Sequence, residues 1–257
     1  MFKTIFKKYP NSISKKENRE LHNSSPTTVY ELTNKLEELL FHSIVGYYDI
    51  KKLLMRSILS KEQIHVLLTG PPATSKTVFL LEMLQELSNE YFIDGTATSV
   101  IGIVDFLFSH PETRFILIDE IDKLNKKDQT VLYNLMETGI LTEMKAEKTK
   151  GFRQQRMNVK IFATSNELDK LTQSLKSRFL KLELPEYSWD EFLTISNNLI
   201  KKRYKHLDEK ISNRIAEIVW QDLNTKDIRD CLQIAKLTYS IEDAEDIAHT
   251  LTKYRSH

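Results

Sequence analysis

The chain reads as an α/β protein: a parallel sheet flanked by helices, followed by a small all-helical domain. Three observations predict this. Short apolar runs ending at turn residues alternate with helix-length segments from about residue 65 to residue 184, as strands buried on both faces do. Beyond Pro185 the strand pattern stops and each segment is amphipathic at helical spacing. With 257 residues, 40% of them hydrophobic, the chain can bury a full core and a second, smaller one.

The elements follow in order. Residues 1–26 are rich in Lys, Asn and Ser, without apolar periodicity after Phe6, and read as a basic, disordered tail. At Thr28 the run Thr28-Val-Tyr-Glu31 forms a capping box, after which Leu32, Leu36, Leu39 and Leu40 recur at helical spacing. Strands are predicted at 65–69, 91–94, 115–118, 159–164 and 179–184, and helices at 76–87, 100–109 and 126–137. The stretch 139–158 holds two extended runs around a Gly-containing turn, a β-hairpin. Helices are predicted at 189–204, 208–220, 226–240 and 241–254. The expected division is a tail (1–26), an α/β core (27–185) and a small all-helical domain (186–257).

Composition excludes several classes. Lys and Arg total 37 against 36 Asp and Glu, so net charge gives no sign of a polyanionic partner, and any such case rests on local clustering. Cys231 is the single cysteine; it can form no internal disulfide, which fits a reducing cytosol. No run approaches the roughly 18–20 apolar residues of a membrane span, and MFKTIFKKYP lacks the apolar core of a signal peptide. A cytoplasmic protein with no membrane partner is expected.

The segment Gly70-Pro71-Pro72-Ala73-Thr74-Ser75-Lys76-Thr77-Val78 lies between a predicted strand and helix. There, backbone N–H groups and a helix N-terminus can cradle phosphates. Lys76 would reach the outer phosphates and the Thr77 hydroxyl would hold Mg²⁺. Ser75 stands where a second glycine is usual, and its Cβ requires an αR-like conformation. The alternative is a chance Gly-Pro-Pro turn before a helix.

The run Phe115-Ile-Leu-Ile-Asp119-Glu120 is an apolar strand ending in two acids. Where the backbone turns at a strand end, Asp119 can sit near Mg²⁺ and Glu120 near the γ-phosphate, orienting and deprotonating water. Both motifs together point to ATP with Mg²⁺.

From about residue 40 onward the chain resembles the AAA+ family, and within it the branch that carries a hairpin before the first sensor, including RuvB-like, MCM and MoxR proteins. In MCM proteins, too, a small non-glycine residue stands at the position of Ser75. The resemblance implies that Val45 and Gly46, in Ile44-Val45-Gly46-Tyr47, contact adenine. It makes Glu120 the catalytic base and Asn166 the sensor that positions the lytic water. Arg178 matches an arginine finger that enters the neighbouring subunit's site, where a fixed planar cation suits the charge of phosphoryl transfer. Arg229 matches a second sensor on the lid; an exposed helix Arg paired with Asp227 or Asp230 is the alternative. A ring homo-oligomer, a hexamer, follows from the resemblance.

The predicted hairpin carries Lys145, Lys148, Lys150, Arg153 and Arg156 against Glu143 and Glu147. It could grip DNA phosphates in a ring pore, or be an ordinary charged surface hairpin. Two functions stay open: a DNA-translocating motor of RuvB-like helicase or branch-migration type, and a MoxR-like protein-remodelling ATPase. RuvB has a further DNA-binding winged helix and this sequence shows none, so an accessory recognition protein is a further expected partner.

Overall fold

The computed structural model describes residues 40–144 and 152–254. The basic tail, the capping box at Thr28, and Lys145, Lys148 and Lys150 lie outside them. Contacts divide the chain into two compact units: one runs to Gly70 and from Ser75 to Leu184, and the other holds Pro71–Thr74 and Pro185 onward.

The first unit is built from α1 (Tyr48–Leu59), β1 (Val66–Thr69), α2 (Lys76–Glu86), β2 (Glu90–Asp94), α3 (Val100–Ser109), β3 (Phe115–Asp119), α4 (Lys126–Thr138), β4 (Ile140–Met144), β5 (Phe152–Arg156), β6 (Lys160–Thr164), α5 (Gln173–Lys176) and β7 (Leu180–Glu183). Five strands form a parallel sheet in the order β2-β3-β6-β1-β7, and β4 pairs antiparallel with β5 as a separate hairpin. Successive side chains of a strand face opposite ways, and here each face meets its own core. Leu67, Ile116, Ile118, Ile161 and Ala163 pack with Ile103 and Leu107 of α3 and Leu132 and Leu135 of α4. Val66, Leu68, Phe115, Leu117 and Phe162 pack with Leu54 and Met55 of α1 and Phe79, Leu80 and Met83 of α2. That is why the inner strands β1 and β3 read as continuous apolar runs, whereas the edge strand β7 (Leu-Lys-Leu-Glu) is largely exposed. Because the chain leaves β1 for the far edge and returns through β3 and β6, strand order reverses beside β1, and ligands bind at the carboxyl ends of strands at such a reversal.

Sequence reading did not find α1. No side chain caps its start, where Tyr47 sits in the left-handed region at φ 55, and Asp49 in the first turn is the one start signal there. Its end is secured from a distance instead. The buried Lys160, opening β6, donates through Nζ to the carbonyls of Ser57 (2.8 Å), Ile58 (2.9 Å) and Ser60, placing a cation at the negative end of the helix. Burial pushes the Lys160 pKa down to about 8, and Arg114 acts in the same direction.

His65, just before β1, accepts from the Ile161 N–H at 3.1 Å through Nδ1. Burial pushes its pKa down to about 4, opposed by the Met136 carbonyl and aided by Lys160. The unfolded chain therefore takes up a proton near pH 6.5 that the folded chain refuses until about pH 4. Stability is fully present above pH 6.5 and falls as pH drops from 6.5 toward 4, by up to about 3 kcal/mol from this residue. Urea unfolding between pH 4 and 7 should show that slope, and His65→Asn, which keeps an acceptor for Ile161, should flatten it.

The second unit contains α6 (Trp189–Arg203), α7 (Glu209–Glu217), α8 (Ile228–Leu237) and α9 (Ile241–Tyr254). Ser188 starts α6 with a full capping box to Glu191. Phe192, Ile200, Ile215, Val219, Ile234 and Ala244 are buried in it. The helix expected at 208–220 is α-helical only to Glu217; it continues as a π-helical turn, Ile218–Asp222, carrying Trp220 against Trp189 and Phe192. Arg214 ties α7 to α9 through Glu245. Cys231 is buried and its thiol is pushed up to about 12, so it is unreactive as a thiolate. Among the described residues no helix is long and apolar enough to cross a membrane.

Candidate nucleotide site

The loop after β1 carries an unusual backbone. Gly70 has φ 136, and Ala73 (φ 65) and Ser75 (φ 60) are both left-handed without being glycine. A Cβ on Gly70 would meet the Leu184 carbonyl oxygen at 2.4 Å, so only glycine fits. Turns that alternate into the left-handed region point successive N–H groups into an anion-binding concavity. The αR-like conformation expected for Ser75 is thus corrected: it is the residue preceding α2, with φ 60 and ψ 11, turning the chain before the helix begins. Non-glycine residues held this way are strained and cluster at functional sites. Ser75→Gly is expected to raise stability by about 1 kcal/mol, the left-handed cost relieved less the added chain entropy, while nucleotide binding is retained; thermal unfolding with and without ATP checks both.

Within the first unit the predicted residues converge. Lys76 opens α2, is buried, and donates from Nζ to the Gly70 carbonyl at 2.8 Å. Burial lowers its pKa, and the charges of Asp119, Asp122 and Glu120 oppose that shift, favouring the ammonium form. Thr77 lies 3.0 Å from both carboxylate oxygens of Asp119 through its hydroxyl. Glu120 directly follows β3 and is left-handed at φ 51; the backbone has turned, so the two adjacent acids need not face opposite ways. Asn166 donates from Nδ2 to Glu120 Oε1 at 3.3 Å. The Ile44–Tyr47 box precedes α1, with Val45 half-buried and Gly46 buried, and the Tyr47 ring lies 6.1 Å from that of Phe79 on α2. Val78, also on α2, is exposed.

Three further residues organise this edge and were missed in the sequence. The Thr164 hydroxyl, ending β6, donates to Asp119 Oδ1 (2.6 Å) and accepts from the Glu120 N–H (2.9 Å). Asp122 is buried and accepts from the Asn166 N–H at 3.1 Å through Oδ1; the signal for it was the third acid in Asp119-Glu-Ile-Asp122. Gly95 follows β2, donates its N–H to the Asp119 carbonyl at 2.9 Å, and could bear no Cβ, which would meet the Glu120 carbonyl oxygen at 2.3 Å. Nothing in the local pattern around Gly95 pointed to it.

The other predicted residues fall elsewhere. Arg178, just past α5, pairs through Nη2 with Glu137 at 2.5 Å and lies over the Tyr133 ring, 5.4 Å from its centroid. The hydrogen bond to Tyr133 is the largest cause raising its pKa, with Glu137 adding to it. Arg229 belongs to the second unit, where its guanidinium forks onto Asp227, the pairing weighed as the alternative. Pro71 and Thr74 are joined by a 2.8 Å bond from the Thr74 hydroxyl to the Pro71 carbonyl; Pro72 is exposed. On β5, Arg156 is exposed, whereas Arg153 pairs with Asp105 at 2.9 Å and lies over Phe108.

A parallel sheet, a phosphate-type loop after its first strand and paired acids on a neighbouring strand define a P-loop nucleotide-binding fold. Residues 66–186 match the model of the ATPase family associated with various cellular activities (AAA), and this part of the chain is an AAA domain. The chain is 28% identical over 184 residues to the DNA replication licensing factor mcm2 of Xenopus tropicalis, covering 54% of this chain and 21% of that protein. To the Holliday junction branch migration complex subunit RuvB of Mycoplasmopsis pulmonis it is 26% identical over 188 residues, 68% of this chain and 59% of that one. The chain thus spans less than two thirds of these relatives. The solved Thermotoga maritima RuvB Holliday junction branch migration motor superposes with a TM-score of 0.59 at 18% identity, over 80% of this chain and 70% of that one, a likeness of fold.

Proposed function

We infer that this protein hydrolyses ATP and couples the cycle to movement along DNA. The observation that carries the hydrolysis is the meeting of Lys76, Thr77, Asp119, Glu120 and Asn166 at the carboxyl ends of adjacent strands β1, β3 and β6. The loop from Gly70 to Thr77, with Val78 following, takes the phosphates; Val45 and Gly46 take the adenine. Lys76 supplies charge to the outer phosphates. Thr77 and Asp119 offer hard oxygens to Mg²⁺, which would neutralise developing phosphate charge when bound. Glu120 takes the proton from the attacking water, which Asn166 orients. Arg178 serves a neighbouring subunit in a ring, a hexamer, and Arg229 reports nucleotide state.

The DNA part is supported by the relatives, whose names describe replication licensing and Holliday junction branch migration. It is tested by ATPase rate with and without single-stranded, duplex and four-way-junction DNA. Stimulation should fall steeply with salt, because phosphate contacts release counterions. Lys148→Ala with Lys150→Ala should reduce the slope of log affinity against log salt by about two on duplex DNA. One observation favours the MoxR-like protein-remodelling alternative: Arg153 is already engaged by Asp105 and Phe108, so it is less available to phosphates. Wild-type protein indifferent to every DNA would select that reading.

A further inference from the structure

The surroundings of Arg178 are more organised than a surface arginine needs. Tyr133 and Glu137 stand one turn apart on α4, so they share a face. The Tyr133 ring lies beneath the guanidinium, and Glu137 Oε2 takes one N–H at its tip. Arg178 itself follows α5, a helix of four residues, where its backbone N–H donates to the Leu175 carbonyl, while its guanidinium reaches α4. The Arg178 and Glu137 side chains are 37% and 40% exposed, and an ion pair that exposed adds little to folding stability. What the arrangement does accomplish is to confine a long side chain to one direction, and among the described residues Glu137 and Tyr133 engage only part of the five N–H donors of its guanidinium.

We propose that Tyr133 and Glu137 are positioning residues for Arg178, holding its guanidinium ready for the nucleotide site of a second copy of this chain. The proposal rests on reading Arg178 as a finger that acts between subunits. A planar fork held in advance loses less freedom when it meets phosphate oxygens, and a displacement of even about 1 Å at such a group can cost on the order of 100-fold in rate.

The experiment compares Glu137→Ala, Glu137→Gln and Tyr133→Phe with wild type in steady-state ATPase assays. Glu137→Ala should lower kcat about tenfold, with KM for ATP, assembly and the unfolding midpoint unchanged; Glu137→Gln, which keeps an acceptor, should recover most of the rate. Tyr133→Phe, which keeps the ring platform, should fall between them. The defect should also travel with the subunit that donates the arginine. Glu137→Ala subunits mixed with Glu120→Gln subunits, whose own sites are dead but whose Arg178 is intact, should turn over faster per Glu137→Ala subunit than in homogeneous rings. An unchanged or raised kcat in Glu137→Ala, or a defect indifferent to the neighbour, overturns the proposal. If Arg178→Ala is inactive while Glu137→Ala is normal, the positioning role alone fails; if Arg178→Ala is fully active, the finger reading fails with it.

Discussion

Glu120→Gln is expected to bind ATP as wild type does and to hydrolyse it at least about 100-fold more slowly, the scale of a lost general base. The substitution keeps shape and an oxygen for Asn166, which donates to Glu120 Oε1, so the site should stay assembled while the proton acceptor is gone. Lys76→Ala should behave differently, losing binding itself, because Lys76 is the buried ammonium beside the Gly70 carbonyl, its charged form favoured by three acids. Fluorescent-nucleotide binding and phosphate release on the same preparations separate the two. Normal turnover by Glu120→Gln would show that another group takes the proton from water.

Arg178→Ala should also bind ATP, and its rate should drop on the order of 1,000-fold, the lower end of what an arginine finger supplies. The neighbours of Arg178 in its own chain are Glu137 and Tyr133 on α4, so its removal should leave its own nucleotide pocket intact. Mixing Arg178→Ala with Lys76→Ala or Glu120→Gln subunits should restore some activity, since complete sites then form at some junctions. Full activity in a dilute monomer would exclude shared sites.

Both variants rest on residues that were legible in the sequence, and the reason is local. Gly70 to Thr77 and Phe115 to Glu120 are contiguous runs whose chemistry requires a strand, a turn and particular side chains in fixed order, so position along the chain stands in for position in space. Asn166 and Arg178 stood out only beside those runs; alone, each is an ordinary residue at an element's end.

The strands were equally plain, because a sheet buried on both faces needs apolar residues at successive positions, as Val66 to Leu68 and Phe115 to Ile118 show. What the chain pattern determined was therefore the parallel sheet, its flanking helices, the helical region beyond Pro185 and the linear motifs. Tertiary structure decided the rest, and in each case through partners distant in sequence. The helix α1 has no side-chain cap at its start, and its last carbonyls are met by Lys160, about a hundred residues away. Ser75 turns left-handed to bring the chain from the phosphate loop into α2, against its own intrinsic preference. Thr164 and Asp122 become part of the site because β6 lies against β3, and Gly95 because the Glu120 backbone comes too close for a side chain. Such contacts arise from strand order and close packing, which no local run of residues encodes.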